Sequence, residues 1–342
     1  MKDNWAMDAL LSHKYNMYKE MLVINELDLR QNITITDMLE AMEQALLIQA
    51  EGNYVLPDRL SFPQKKGAYV LMPCFSEKYI SNKLLTTYPE NNLQGKRTIN
   101  GILILSNMVT GEPLALINGT YLTAIRTGAL GGISCKYLAP QNSERIGVIG
   151  CGTQGLYQTL SAAAVRPVRD VYAFDINSSI LATFPERVAK YRADLRVHTV
   201  KTPRIAAEAA QILITCTTSP EPVLPDEPSL FAGRHIVAIG TYEPFKRELP
   251  PSAIKTADEV CTDTIFACKE SGDLAISLAH GLIKQDAVTE FAFKVKAGLP
   301  EPFARSETTM FKSVGMGLYD LVAAGMIYQK SVREKIGLHV EI

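Results

Sequence analysis

The chain has 342 residues, 47% of them hydrophobic and 21% charged, which excludes wholesale disorder and favours two domains over one. A formal net charge of −1, with no stripe of lysine and arginine, argues against a nucleic-acid partner and for a small-molecule one. Six scattered cysteines without a C-x-x-C pair, and five histidines without ligand spacing, leave no disulfide framework or metal site to expect and favour a reducing compartment.

Residues 1–20 lack the uninterrupted apolar core of a signal peptide and read as an amino-terminal extension with no assigned role. No apolar run is long enough to span a bilayer, so a cytoplasmic location without a membrane partner is expected. Met21 to Ile24 is a short apolar run, and Thr36-Asp37 offers a cap for a helix carrying Leu39, Met42 and Leu46 at helical spacing. Gly67 to Met72, Tyr79 to Leu85, Gly101 to Leu105 and Pro113 to Ile117 predict successive strands divided by turn residues. This part is expected to be a strand-rich sheet with few helices.

From Tyr121 the rhythm changes. Leu122, Ile125, Ala129 and Ile133 share one helical face, and Pro140 ends that helix. Strand patterns follow at Ile146 to Ile149, Val171 to Phe174, Arg196 to Val200, Ile212 to Thr215, His235 to Ile239 and Glu259 to Thr262. Helical stretches lie between the earlier ones, from Thr153, around Ser178 to Tyr191, and around Ala206 to Ala210. Such alternation implies parallel crossovers and a doubly wound α/β sheet. Thr308 to Gln329 reads as helical again.

Within this second part, Arg145-Ile-Gly-Val-Ile-Gly-Cys-Gly-Thr-Gln-Gly155 is a β-branched strand running into G-x-G-x-x-G at the start of a helix. Gly150, Gly152 and Gly155 let backbone N–H groups and the helix dipole of the Thr153 and Gln154 turn face a pyrophosphate. The next strand ends at Asp175, whose carboxylate suits the adenosine ribose hydroxyls and repels a 2′-phosphate; NAD is therefore expected over NADP. Asp175 has a second possible use as a helix cap, because Asn177 and Ser178 follow it. Thr217 and Thr218 lie in a loop at a strand's carboxyl end, where ligands bind in open α/β sheets, and are candidates for the nicotinamide ribose.

Earlier motifs add a family resemblance. Pro57-Asp-Arg59, Met72-Pro73, Lys83, Tyr88-Pro-Glu-Asn91, Thr110-Gly-Glu-Pro-Leu-Ala115 and Leu122-Thr-Ala-Ile-Arg-Thr127 occur in order, followed by the glycine turn, Gly240 to Leu249 and Thr308 to Gly315. Together they make the chain, from about Met21 to its end, similar to the ornithine cyclodeaminase and mu-crystallin family. The resemblance implies an NAD(P)-dependent enzyme acting at the α-carbon of an amino or imino acid. It also implies a Rossmann domain at 129–309, with 21–128 and 310–342 forming an α+β substrate-binding and dimerisation domain of a homodimer. Carried over by position, Arg59, Lys83 and Arg126 bind substrate, with Lys83 and Arg126 on its α-carboxylate, and Thr98 is a further active-site position. Thr127 and Gly240 complete the expected cofactor set.

Physical chemistry supports part of this independently. A forked guanidinium orients a carboxylate in two-point fashion, and Arg126, one residue beyond Ile125 of the apolar stripe, is placed to leave the core edge. Lys83, in a strand-like segment, is expected as a partly desolvated ammonium able to polarise a substrate group. The chain departs from ornithine cyclodeaminase in Ile239-Gly-Thr-Tyr-Glu-Pro-Phe-Lys-Arg-Glu-Leu249, where Tyr242 falls on the family's catalytic aspartate and Glu243 is the adjacent carboxylate, which makes both of them catalytic candidates beside Lys83. Hydride transfer does not need that carboxylate, whereas cyclodeamination does. The expectation is therefore an amino-acid dehydrogenase or imine reductase, with ornithine cyclodeaminase, or a mu-crystallin-like non-catalytic binder, as alternatives.

Overall fold

The structure, a computed structural model, describes residues 20–299 and 307–341. Apart from Glu20, the expected amino-terminal extension lies outside the described residues. In chain order, β1 (Glu20–Ile24) leads into α1 (Glu26–Asn32), α2 (Ile35–Glu51), β2 (Tyr54–Val55), β3 (Leu60–Gln64), β4 (Gly67–Ser76), β5 (Tyr79–Thr87), β6 (Ile99–Asn107), β7 (Pro113–Asn118) and α3 (Gly119–Leu138). Alternation then begins with β8 (Arg145–Ile149), α4 (Thr153–Val165), β9 (Asp170–Phe174), α5 (Ser178–Ala189), β10 (Arg196–Thr199), α6 (Pro203–Ala209), β11 (Ile212–Thr215) and β12 (His235–Ala238). The chain closes through α7 (Pro251–Thr256), β13 (Glu259–Thr262), α8 (Ala267–Glu270), α9 (Gly272–Ala279), β14 (Val288–Glu290), α10 (Phe291–Ala297), β15 (Thr309–Lys312), α11 (Gly317–Glu334) and β16 (Leu338–Glu341).

Two compact units result. The first contains the described residues up to Ile33, Tyr54–Leu122 and the chain from Ala323 on. Its mixed sheet runs β16-β1-β7-β6-β5-β4-β2, with β3 also paired to β4. Only β1 and β7 run parallel; the other pairs are antiparallel. Alternation of side chains across the pleat gives this sheet two different faces. Met72, Lys83, Leu103 and Ile117 form one cross-strand row, and all four are buried. Leu60, Leu71, Leu84 and Ile102 form a row on the opposite face, where Leu60 is 51% and Ile102 41% exposed.

The second unit contains Thr34–Asn53 and Thr123–Val322. Its sheet is parallel throughout, in the order β10-β9-β8-β11-β12-β15-β13-β14. Strands β11 and β12 are buried at every position, as strands covered on both faces must be. Against one face Ile149, Leu213 and Ile236 pack with Phe231, Leu249 and Met310. The chain steps outward from β8 to β9 and β10, then returns to β11 on the other side of β8, so the strand order reverses between β8 and β11. The fold is thus a Rossmann-type doubly wound α/β sheet accompanied by a strand-rich α+β unit.

Two local expectations are corrected. The cap of α2 is Thr34 rather than Thr36-Asp37: Asp37 is the third helical residue, and its carboxylate reaches back to the Thr34 N–H at 2.8 Å, closing a capping box. Thr308 to Gln329 does not start as a helix, because Thr309–Lys312 is the buried strand β15 between β12 and β13. A short run covered on both faces has no alternation to distinguish it from a helix. Among the described residues no helix is long and apolar enough to cross a membrane.

Candidate functional site

The glycine turn lies at the carboxyl end of β8, beside the strand-order reversal, which is where open α/β sheets bind ligands. Gly150 has φ +99°, and a Cβ there would come within 2.7 Å of the Cys216 carbonyl oxygen on the neighbouring strand's extension. Gly155 brings α4 down on the turn: its Cβ would meet the Gly150 carbonyl at 2.1 Å. Gly152 differs, since a Cβ there would enter open space. As the N-cap of α4 it provides no side-chain hydrogen bond, so the first-turn N–H groups at Thr153 and Gln154 present an anion cradle.

Asp175 sits at the end of β9, half-buried, with Oδ2 accepting from the Cys151 N–H at 2.7 Å and Oδ1 from the Asn177 N–H at 2.8 Å. Each carboxylate oxygen retains a further lone pair for a hydroxyl. The cap of α5 is Asn177, whose side chain accepts from Ser179 and Ile180, so Asp175 does not serve as that cap. Arg187, not anticipated from sequence, donates to the Cys151 and Gly152 carbonyls at 2.7 and 3.0 Å, holding the turn from its other side. Burial pushes the Cys151 thiol up to about 12, which keeps it neutral.

Helix α3 carries Arg126 and Thr127, and α4 binds it directly. Gln158 Nε2 donates to the Thr127 carbonyl at 2.9 Å and Gln154 Nε2 to the Ala124 carbonyl at 3.4 Å. Gly128 makes this approach possible, because a Cβ there would strike Tyr157 at 2.6 Å. Arg126 is buried, 4% exposed, and its Nε donates to Asp320 Oδ1 at 3.1 Å. Gly315, at φ +76°, lies so close that a Cβ would be 3.0 Å from Arg126 Nη1. The turn bearing Gly315 is itself held by Asp263, which accepts from Ser313 Oγ, Val314 N–H and Gly315 N–H at 2.7, 2.9 and 2.6 Å. Burial raises the Asp263 carboxyl against the lowering effect of these donors and of Arg126. Because Asp320 occupies Nε, the Nη1 and Nη2 edge is the part of the fork that a substrate carboxylate would meet.

Thr217 and Gly240 follow the ends of β11 and β12 and share one partner, the fully buried Glu248. Its Oε1 accepts from the Thr217 N–H at 2.5 Å, and its Oε2 from the Gly240 N–H at 2.7 Å and Thr215 Oγ1 at 3.1 Å. Asp273 Oδ1 accepts from the Glu248 and Leu249 N–H groups at 2.7 and 2.9 Å, while Oδ2 accepts from Lys312 Nζ at 2.9 Å and Thr241 Oγ1 at 2.8 Å. Burial raises the Glu248 carboxyl and Lys312 opposes it. For Asp273 burial also acts upward, but the Lys312 charge and the hydrogen bonds outweigh it and hold the carboxyl below its ordinary value. Thr218 lies in the same loop, half-buried.

Tyr242 is 50% exposed, and the neighbouring Glu243 carboxylate is ion-paired with Lys246. In the mixed-sheet unit Lys83 is buried on β5 at 1% exposure. Arg59 precedes β3, and Thr98 precedes β6 with its carbonyl accepting from the Tyr88 N–H at 2.7 Å. Sequence reasoning missed Arg187, Glu248, Asp273, Lys312 and Asp320. Glu248 and Lys312 lie inside the Gly240 to Leu249 and Thr308 to Gly315 motifs, but nothing in a linear pattern distinguishes a buried charge from a solvated one. Among the described residues no cluster of histidine, cysteine, aspartate or glutamate could hold a metal ion.

Residues 19–335 match the model of the ornithine cyclodeaminase/mu-crystallin family. The chain is 33% identical over 330 residues to the Δ1-pyrroline-2-carboxylate reductase of Bacillus thuringiensis subsp. konkukian, covering 94% of this chain and all of that protein. The structure of Thermococcus litoralis Δ1-pyrroline-2-carboxylate reductase in complex with NADH and L-proline matches with a TM-score of 0.89 and 31% identity, covering 94% of this chain and 100% of that one. An archaeal alanine dehydrogenase dimer with bound NAD matches with a TM-score of 0.86 and 28% identity, covering 95% and 100%.

Proposed function

The chain belongs to the ornithine cyclodeaminase/mu-crystallin family, and from that premise we propose that it is an NAD(H)-dependent oxidoreductase acting at the α-carbon of a small amino or imino acid. The first substrate to test is Δ1-pyrroline-2-carboxylate, reduced to proline. The observation that carries this reading is the direct hydrogen bonding of the Arg126-Thr127 segment to α4, the helix that the glycine turn begins. A carboxylate-binding guanidinium and a dinucleotide cradle thereby belong to one rigidly bonded pair of helices.

In this reading NADH, when bound, supplies the hydride. The turn at Gly150, Gly152, Thr153, Gln154 and Gly155 receives the pyrophosphate, Asp175 the adenosine ribose, and Thr217, Thr218 and Gly240 flank the nicotinamide half. Arg126, oriented by Asp320 through Nε, turns its Nη edge to the substrate carboxylate and so fixes which face of the α-carbon is presented. Lys83, Arg59 and Thr98 keep their substrate-binding assignment through the family's motif order, with Lys83 as a buried ammonium suited to proton delivery. Cyclodeamination of ornithine has weaker support: Tyr242 replaces the family aspartate, and Glu243 is already paired with Lys246. Two copies are proposed to associate through the outward row of the mixed sheet, whose exposed Leu60, Phe62, Ile102 and Ile104 need cover.

The test follows NADH absorbance with Δ1-pyrroline-2-carboxylate, with pyruvate plus ammonia, and with ornithine plus NAD. NADH oxidation is expected with the cyclic imine. Tight NADH binding without turnover of any substrate would replace this reading by that of a ligand binder, and ammonia release from ornithine would restore the cyclodeaminase.

A further inference from the structure

We propose that Glu248 is a positioning residue that ties the β11 and β12 loops into a single wall for the nicotinamide half of the cofactor, a role that rests on the dinucleotide reading above. Adjacent strands of a parallel sheet are held together along their length, but the loops beyond their carboxyl ends share no ladder. Here one carboxylate restores the missing link. It accepts the Thr217 N–H from one loop and the Gly240 N–H from the other, with Thr215 Oγ1 as a third donor. Gly240 is required by this arrangement, since a Cβ there would lie 2.5 Å from Glu248 Cδ and 2.2 Å from the Thr217 carbonyl oxygen. The carboxylate is itself anchored through its own peptide N–H to Asp273, and through Asp273 to Lys312 at the end of β15. Three neighbouring strand ends, β11, β12 and β15, are thus joined by one fully buried ionic relay.

All contacts to the Glu248 carboxylate come from donors, which is the requirement for an isosteric test. Glu248→Gln keeps the shape but places an NH2 group against one of the N–H or O–H donors, breaking the tie on that side. Binding is measured for NADH and for ADP-ribose, which contains the adenosine and pyrophosphate but no nicotinamide. The variant is expected to lose about tenfold or more in NADH affinity, the scale of one hydrogen bond to a charged acceptor, with ADP-ribose affinity unchanged. A general loosening of the unit would weaken both ligands alike, so equal losses, or no loss for NADH, overturn the proposal. Failure of the unaltered protein to bind NADH would instead overturn the cofactor reading. Should the variant not fold, hydrogen exchange in the unaltered cofactor-free protein decides: the Thr217 and Gly240 amides are expected to exchange slowly, and rapid exchange at either rejects the tie.

Discussion

The carboxyl edge of the parallel sheet and the outward face of the mixed sheet differ in what they leave to be satisfied. At the parallel edge, charged groups are buried yet closed on one another: Glu248 takes three donors, and Asp273 takes four. What stays open there is backbone, the N–H groups beyond Gly152. The mixed sheet inverts this pattern, with Lys83 buried on one face and a leucine and isoleucine row turned to solvent on the other. A closed polar network with open N–H groups calls for a small anionic ligand, whereas an open apolar row calls for a second surface.

The largest expected effect lies at Arg126. Arg126→Ala removes the proposed carboxylate anchor, so kcat/KM is expected to fall about 10²- to 10³-fold, the scale for truncating one partner of a buried charge pair. NADH affinity should stay nearly intact, and its collapse in a titration would show that Arg126 serves the cofactor instead. On the mixed sheet, the double change Ile102→Lys and Ile104→Lys is expected to raise the dissociation constant of the proposed dimer by about tenfold or more, given ~1.5–3 kcal/mol for each isoleucine that the dimer would bury. Unchanged sedimentation would place the interface elsewhere. Asp175→Ala should narrow the preference for NAD over NADP by about tenfold, the worth of one hydrogen bond to a charged group. Identical selectivity ratios before and after would remove Asp175 from cofactor choice.

A smaller effect comes from the closed interior of the parallel sheet. His235, fully buried on β12 between Ser134 Oγ and Thr309 Oγ1, has its pKa lowered by burial from 6.5 to about 3. The folded value lies below the unfolded one, so the contribution to stability is complete above about 6.5 and is lost as pH falls toward about 3. Within that window the unfolding constant should gain up to about a factor of ten per pH unit from this residue. Urea titrations of His235→Gln should show a correspondingly flatter acid dependence; equal slopes in the two proteins would contradict it.

Much of the fold was legible because its signals are local. The β-branched run before Gly150, the alternation from Ile146 onward and the stripe of Leu122, Ile125, Ala129 and Ile133 each follow from backbone preference and periodicity within a few residues. The glycine turn and the place of Asp175 just beyond β9 were readable for the same reason. The cap at Thr34 was missed by two positions, since Thr34 and Thr36 both precede the same apolar stripe and cap geometry alone separates them.

Local pattern alone was enough for the strand–helix alternation from Ile146 to Thr215, the glycine turn, and the residue types able to meet a dinucleotide and a carboxylate. Tertiary structure alone decided that Thr309–Lys312 is an interior strand, that Asp320 grips Arg126 across 194 residues, and that Glu248 joins two loops. The physical reason is burial. A charged side chain has the same place in the chain whether water or another charge surrounds it, and only the packing of distant segments determines which.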